Sequence, residues 1–281
     1  MSEKKKVEGS RFLRESKPAL KHLLGILLRK YGYASILAVD SEAKIYSVAA
    51  SGINIGDFGM LCNRGFVIKV YNEGEYAEYS FNKLERDVTE QAQQIIEQIE
   101  ALKKAVPDKL ERIKLGILED KPLKFSKSTE YEINPFETGA QNIIDKLTAL
   151  RKKGLEADER MLDCTARMSC QKYSKLFLSE NKDMEQNVLW TDCAMSFLAR
   201  RGNEVKSYFS SASNLGGSEI LESLEADIPH SVEMTVALLD SEPMVPGEYD
   251  CICTPEVTGM IVHEAFGHGV EMDMFAKDRA L

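Results

Sequence analysis

Arg160–Gln171 (RMLDCTARMSCQ), Tyr173–Glu180 (YSKLFLSE), Asn187–Ala199 (NVLWTDCAMSFLA) and Glu204–Ser210 (EVKSYFS) follow one another along the middle of the chain. They read as four consecutive strands. The polar, glycine-bearing stretch Ser211–Gly217 ends the run. A helix from about Pro135 to Lys152 leads into it, with proline at the first turn. The centre of the chain is therefore β-rich.

Working outward toward the N-terminus, Pro18–Lys30 predicts an amphipathic helix, because Leu20, Leu23, Leu24, Leu27 and Leu28 recur at helical spacing. His22 rides on its surface or flank. Ser35–Val39, Lys44–Ala49, Gly65–Tyr71 and Glu75–Phe81 predict four more strands, the last two joined by a turn at Asn72-Glu73-Gly74. A helix follows from Val88 to Lys104, with Val88, Ala92, Ile95, Ile96, Ile99 and Leu102 on one face. Ala105–Pro135 carries Pro107, Pro122 and Pro135 and reads as an irregular connection. Toward the C-terminus come a helix over Pro229–Leu239, a turn at Pro246-Gly247 and a short strand at Tyr249–Cys253. A last helix starts at Pro255, with Thr254 available as its N-cap. The fold class is α+β. Three units are expected: an N-terminal α/β-sheet unit at 1–106, a β-rich middle unit at 107–225, and the beginning of a third at 226–281. There is no internal repeat and no low-complexity segment.

A chain of 281 residues, 43% of them hydrophobic, can bury a sizeable core and suits two or three domains. No apolar run reaches the length of a membrane span. The start MSEKKKVEGS is basic but lacks an apolar h-region, so a frayed end and a cytoplasmic location are expected, not secretion. Six cysteines, Cys62, Cys164, Cys170, Cys193, Cys251 and Cys253, are too sparse for a disulfide framework. Cys251 and Cys253 read as small buried hydrophobes on one face of a strand. The net charge is −9, and no Lys or Arg occurs between Lys206 and Lys277. That acidic interval disfavours direct nucleic-acid binding and attracts a cation or a basic peptide.

Three of the four histidines lie in this interval, two of them in His263-Glu264-Ala265-Phe266-Gly267-His268-Gly269-Val270-Glu271-Met272-Asp273. Two imidazoles flank a carboxylate, which is the residue kit for activating water on zinc. The histidines stand five apart, not four. On an ideal α-helix five residues turn the chain by about 500°, leaving the rings roughly 140° apart. One π-bulge would bring them together, and Gly267 would ease the distortion. An irregular turn is therefore predicted between His263 and His268. Glu264 takes the position of a general base. Glu271, three residues past His268, either ligates or accepts an imidazole N–H from behind, and the second role is favoured. Asp273 reads as packing or hydrogen bonding at a helix end.

HEAFGHGVEMD closely resembles the H-E-x-x-x-H (HExxxH) segment of the TldD/PmbA family, metalloproteases once described as modulators of DNA gyrase. Val245-Pro246-Gly247-Glu248-Tyr249-Asp250 resembles the family upstream of the motif, as do Arg64–Val70, Gly74 and Tyr79-Ser80-Phe81 near the N-terminus. The resemblance implies that 226–281 begins a C-terminal metalloprotease domain in a TldD-type subunit. It implies zinc (Zn2+) on His263 and His268, with Glu264 as the catalytic carboxylate. It further implies unfolded or extended peptide substrates held as an added β-strand, and a PmbA/TldE-type partner subunit in a hetero-oligomer. Family members are longer, and their third protein ligand is a cysteine near the far C-terminus, to which no position here corresponds. The chain resembles their front portion. Two other readings stand beside this one. H-E-x-x-G-H is also similar to the dipeptidyl peptidase III signature, and a non-catalytic binding or regulatory protein could carry the same residues.

Overall fold

The computed structural model describes residues 4–57, 63–105, 119–276 and 279. Cys62, Pro107 and Lys277 lie outside the described residues. The elements are β1 (Lys5–Lys6), α1 (Arg11–Leu28), β2 (Tyr33–Ala49), β3 (Gly52–Asp57), β4 (Arg64–Asn72), β5 (Glu75–Phe81), α2 (Val88–Ala105), β6 (Leu123–Ser128), β7 (Glu130–Tyr131), α3 (Ala140–Glu156), β8 (Met161–Ser179), β9 (Lys182–Arg201), β10 (Glu204–Leu215), α4 (Leu221–Ala237), α5 (Pro255–Val262) and α6 (Met272–Ala276). The mixture of helices with a large antiparallel sheet is α+β.

The sheet runs in the order β10-β9-β8-β2-β4-β5. Its long strands share edges end to end. One edge of β2 pairs first with β4 and then with β3, while the other pairs with β8 over most of its length. The outer edge of β9 is likewise divided between β6, which lies parallel to it, and β10. Strands from both halves of the sequence thus make one hydrogen-bonded surface.

Side-chain alternation places both apolar cores on one face of that surface. Ala34, Ile36 and Ala38 of β2 and Leu176 and Leu178 of β8 pack under α1 and α2. Tyr46 and Val48 of β2 and Cys164, Ala166, Met168 and Cys170 of β8 pack under α3 and α4. Within each strand these residues share one parity. A strand of 17 residues spans about 58 Å, roughly twice the length of an 18-residue helix, so one helix pair cannot cover it. Full burial of a side chain such as Leu20, Leu147 or Phe197 stabilises the fold by about 1.5–3 kcal/mol each.

A polar seam separates the two cores. The Ser10 hydroxyl donates to Asp40 at 2.5 Å, and Asp40 also accepts from Arg64 at 2.9 Å. The Ser10 backbone N–H donates to the Ser174 hydroxyl at 3.0 Å, which in turn donates to Asn187 at 2.8 Å. This seam accounts for the largest differences from the sequence reading. The breaks expected at Asp40–Ala43 and Lys172 do not occur, because polar side chains find partners there while the backbone ladder continues. Four expected strands are therefore two, β2 and β8.

Other boundaries moved for comparable reasons. Helix α1 starts at Arg11, with the Ser10 side chain capping Leu13 N–H, and Pro18 lies inside it. Helix α4 starts at Leu221 and contains Pro229. Pro135 precedes α3 instead of opening it, and Gly139 at φ 84 stands between them. Within 119–135, read as an irregular connection, Leu123–Ser128 and Glu130–Tyr131 are strands that pair with segments far away in sequence, and the rest is irregular. The hairpin joining β4 and β5 matches the sequence, with positive φ at both Glu73 and Gly74. Among the described residues no helix is long and apolar enough to cross a membrane.

Candidate metal centre

After α4 the chain runs from Ser241 to Thr254 without strand or helix, bending at Pro246-Gly247. The strand expected at Tyr249–Cys253 is absent, since no partner strand meets it among the described residues. Cys251 and Cys253 are therefore exposed, contrary to the buried role expected from alternation. Thr254 is extended and Pro255 opens α5, as its fixed φ favours. The Thr254 hydroxyl does not cap a helix N–H. Glu256 is held below its ordinary carboxylate range, first by its own backbone N–H and then by Thr254.

Helix α5 ends at Val262, and residues His263–Gly267 form a π-helical turn. The backbone N–H of His268 donates to the carbonyl of His263, five residues back. A π-turn takes one more residue per turn than an α-turn, so the five-residue spacing becomes close to one full revolution. The two rings consequently lie together, with centroids 4.6 Å apart and planes at 68°. Gly267 is not what permits this. It sits at φ −56 and ψ −50, an ordinary helical conformation. A Cβ added there would meet nothing closer than 3.7 Å.

Glu264 faces both rings. One carboxylate oxygen lies 4.0 Å from His263 Nε2 and the other 3.8 Å from His268 Nε2. Ligand atoms of the three residues all fall within 4.8 Å of one another, the one such metal-competent group among the described residues. Two donors on a tetrahedral zinc ion lie about 3.4 Å apart, and the two imidazoles offer nitrogens within 4.8 Å of one another, so rotation of these exposed side chains can bring them to that separation. Imidazole nitrogen and carboxylate oxygen are donors that zinc accepts, and the residues fit such an ion. Behind the cluster, His268 Nδ1 meets Glu271 Oε1 at 2.7 Å. Asp273 lies in the first turn of α6. His22 is far from this chemistry in sequence and contacts the Thr89 hydroxyl at 3.2 Å. His230 packs edge-on to Tyr208.

The architecture recurs in solved structures. A protein from Bacteroides thetaiotaomicron, provisionally described as a modulator of DNA gyrase, matches 91% of this chain with a TM-score of 0.62 at 16% identity. A second protein so described, from Thermotoga maritima, matches 82% with a TM-score of 0.62 at 15% identity. TldE from Thermococcus kodakarensis matches 79% with a TM-score of 0.53 at 16% identity. This chain has the TldD/PmbA fold. It spans 57%, 50% and 47% of the lengths of those three proteins, about half of each. Sequence likeness adds a protein from Methanothermobacter thermautotrophicus named metalloprotease, 34% identical over 82 residues, which are 28% of this chain and 18% of that protein. No family model matches the sequence.

Proposed function

We propose that this chain belongs to a zinc-dependent metallopeptidase of the TldD type that hydrolyses unfolded or extended peptides. The observation that supports the reading is the π-turn, which gathers His263, Glu264 and His268 with their donor atoms within 4.8 Å of one another. The metalloprotease name of the Methanothermobacter relative supports it. In this reading His263 and His268 would hold the ion. Zinc at that position would supply Lewis-acid chemistry toward the scissile carbonyl. Glu264 accepts the proton of the attacking water and returns it to the departing amine. Its place between the two imidazoles suits both transfers. A third protein ligand is expected outside the residues present, as the family likeness implies. The partner proposed is a PmbA/TldE-type subunit, and the setting is the cytoplasm, where the thiols stay reduced.

Mixing the complete subunit that contains this chain with its partner subunit and an unfolded peptide tests the proposal. Cleavage should require zinc, stop on chelation, and fall by a factor of about 100 or more in Glu264→Gln, the scale of lost general-base catalysis. Undiminished cleavage by Glu264→Gln would remove Glu264 from the mechanism. Zinc binding without any cleavage would favour a binding or regulatory role.

A further inference from the structure

We infer that Glu271 is a positioning residue for His268: it fixes the imidazole tautomer and aims Nε2 at the metal position. The inference rests on the proposed metal centre and concerns the atoms behind it. Glu271 is tied to His268 twice. Its side chain meets His268 Nδ1 at 2.7 Å, and its backbone N–H donates to the His268 carbonyl at 3.4 Å. The second contact closes the short turn His268–Val270, after which Glu271 itself turns extended, at φ −63 and ψ 142. The carboxylate is therefore held over the ring by a turn and does not hang on a free chain. A carboxylate can only accept, so the neutral ring must donate from Nδ1. Its Nε2 then carries the lone pair, and Nε2 is the atom that lies 3.8 Å from Glu264. An exposed neutral imidazole ordinarily carries its proton on Nε2, the wrong tautomer for this geometry. Glu271 reverses that preference before any ion arrives.

Among the described residues no carboxylate backs His263 in this way, and the acidic group that meets it is Glu264, 4.0 Å from Nε2. The two imidazoles are thus unequal, one pre-oriented and one free to adjust. A pre-oriented donor would lose less conformational freedom on binding an ion than one that must first be aligned.

The test uses the full chain in two measurements. Imidazole 15N spectra of the metal-free protein at mildly alkaline pH report the tautomer directly. His268 should hold its proton on Nδ1 in the wild type and shift toward Nε2–H in Glu271→Ala. Zinc competition against a chromophoric chelator should show affinity falling 10- to 100-fold in Glu271→Ala. Glu271→Gln keeps an acceptor oxygen and should recover most of that loss. Thermal unfolding should be unchanged in both, because the Glu271 side chain is 53% exposed. An Nε2–H ring in the wild type, or equal zinc affinity in wild type and Glu271→Ala, would overturn the inference. Equal losses in Ala and Gln would make Glu271 a direct ligand and overturn it too. A correct tautomer in a wild type that binds no zinc would uphold the tautomer assignment and show that these two imidazoles alone do not hold the ion.

Discussion

Gly25 and Gly154 both sit inside helices, and changing each to alanine should move stability in opposite directions. In a helix interior the change gains about 0.8–1 kcal/mol from propensity. Gly25 lies on the exposed side of α1, and a Cβ there meets nothing within 4 Å. Gly25→Ala should therefore stabilise by close to that amount. Gly154 faces the sheet from α3. A Cβ there would lie 3.0 Å from Cys164 Sγ, 3.0 Å from Phe197 Cε1 and 3.4 Å from Met195 Cε. Cys164, Phe197 and Met195 are no more than 1% exposed, so none can swing into solvent. Preferred contacts between such atoms begin at about 3.5 Å, and overpacking of this kind costs about 1–3 kcal/mol. Set against the propensity gain, Gly154→Ala should be destabilised by about 1 kcal/mol. Urea unfolding of both variants measures this, and the propensity term cancels in their difference. That difference should be about 1–3 kcal/mol, with unchanged denaturant slopes. Equal stabilisation of both would refute the close seating of α3 on β8 and β9.

Thiol chemistry gives a second check. Burial pushes the thiols of Cys164 and Cys170 up to about 12 and that of Cys193 up to about 11. Cys251 and Cys253 are exposed, so in the native protein iodoacetamide should label these two while sparing Cys164, Cys170 and Cys193 until unfolding, as read by peptide mass spectrometry. A third concerns acid. Hydrogen bonds from the Arg160 side chain and backbone hold Asp158 down to about 2. A depressed carboxylate contributes stability above its unfolded value of about 3.9 and loses it as pH falls through the folded one. The stability advantage of wild type over Asp158→Asn should thus be present near pH 6 and shrink between about pH 4 and pH 2. The advantage is small, because Arg160 is largely solvated. A pH-independent difference would rule out that pairing.

Periodic segments were legible because their signal is local. Helix α2 and the β4–β5 hairpin lie within a residue or so of where apolar spacing and turn residues put them. The π-turn was legible for another reason. Two histidines five apart can share an ion only if the helix is distorted between them, so reading the motif as an ion site predicted an irregular turn, and a π-turn is found there. The means were different from those expected, as Gly267 holds a conformation that alanine also adopts.

What the sequence by itself determined was the α+β class, the periodic helices and strands, and the grouping of imidazoles and carboxylates at His263, Glu264, His268 and Glu271. Tertiary structure decided that β2 and β8 run unbroken through polar stretches, because the partners of Asp40 and Ser174 come from Ser10, Arg64 and Asn187, distant in sequence. It also decided that β6 adds to the edge of β9, a pairing set by hydrogen bonds about sixty residues apart, which no local pattern encodes. Parity along two long strands then placed both cores on one face. That is a property of the assembled sheet, since alternation fixes which residues share a face, while only pairing fixes what covers it.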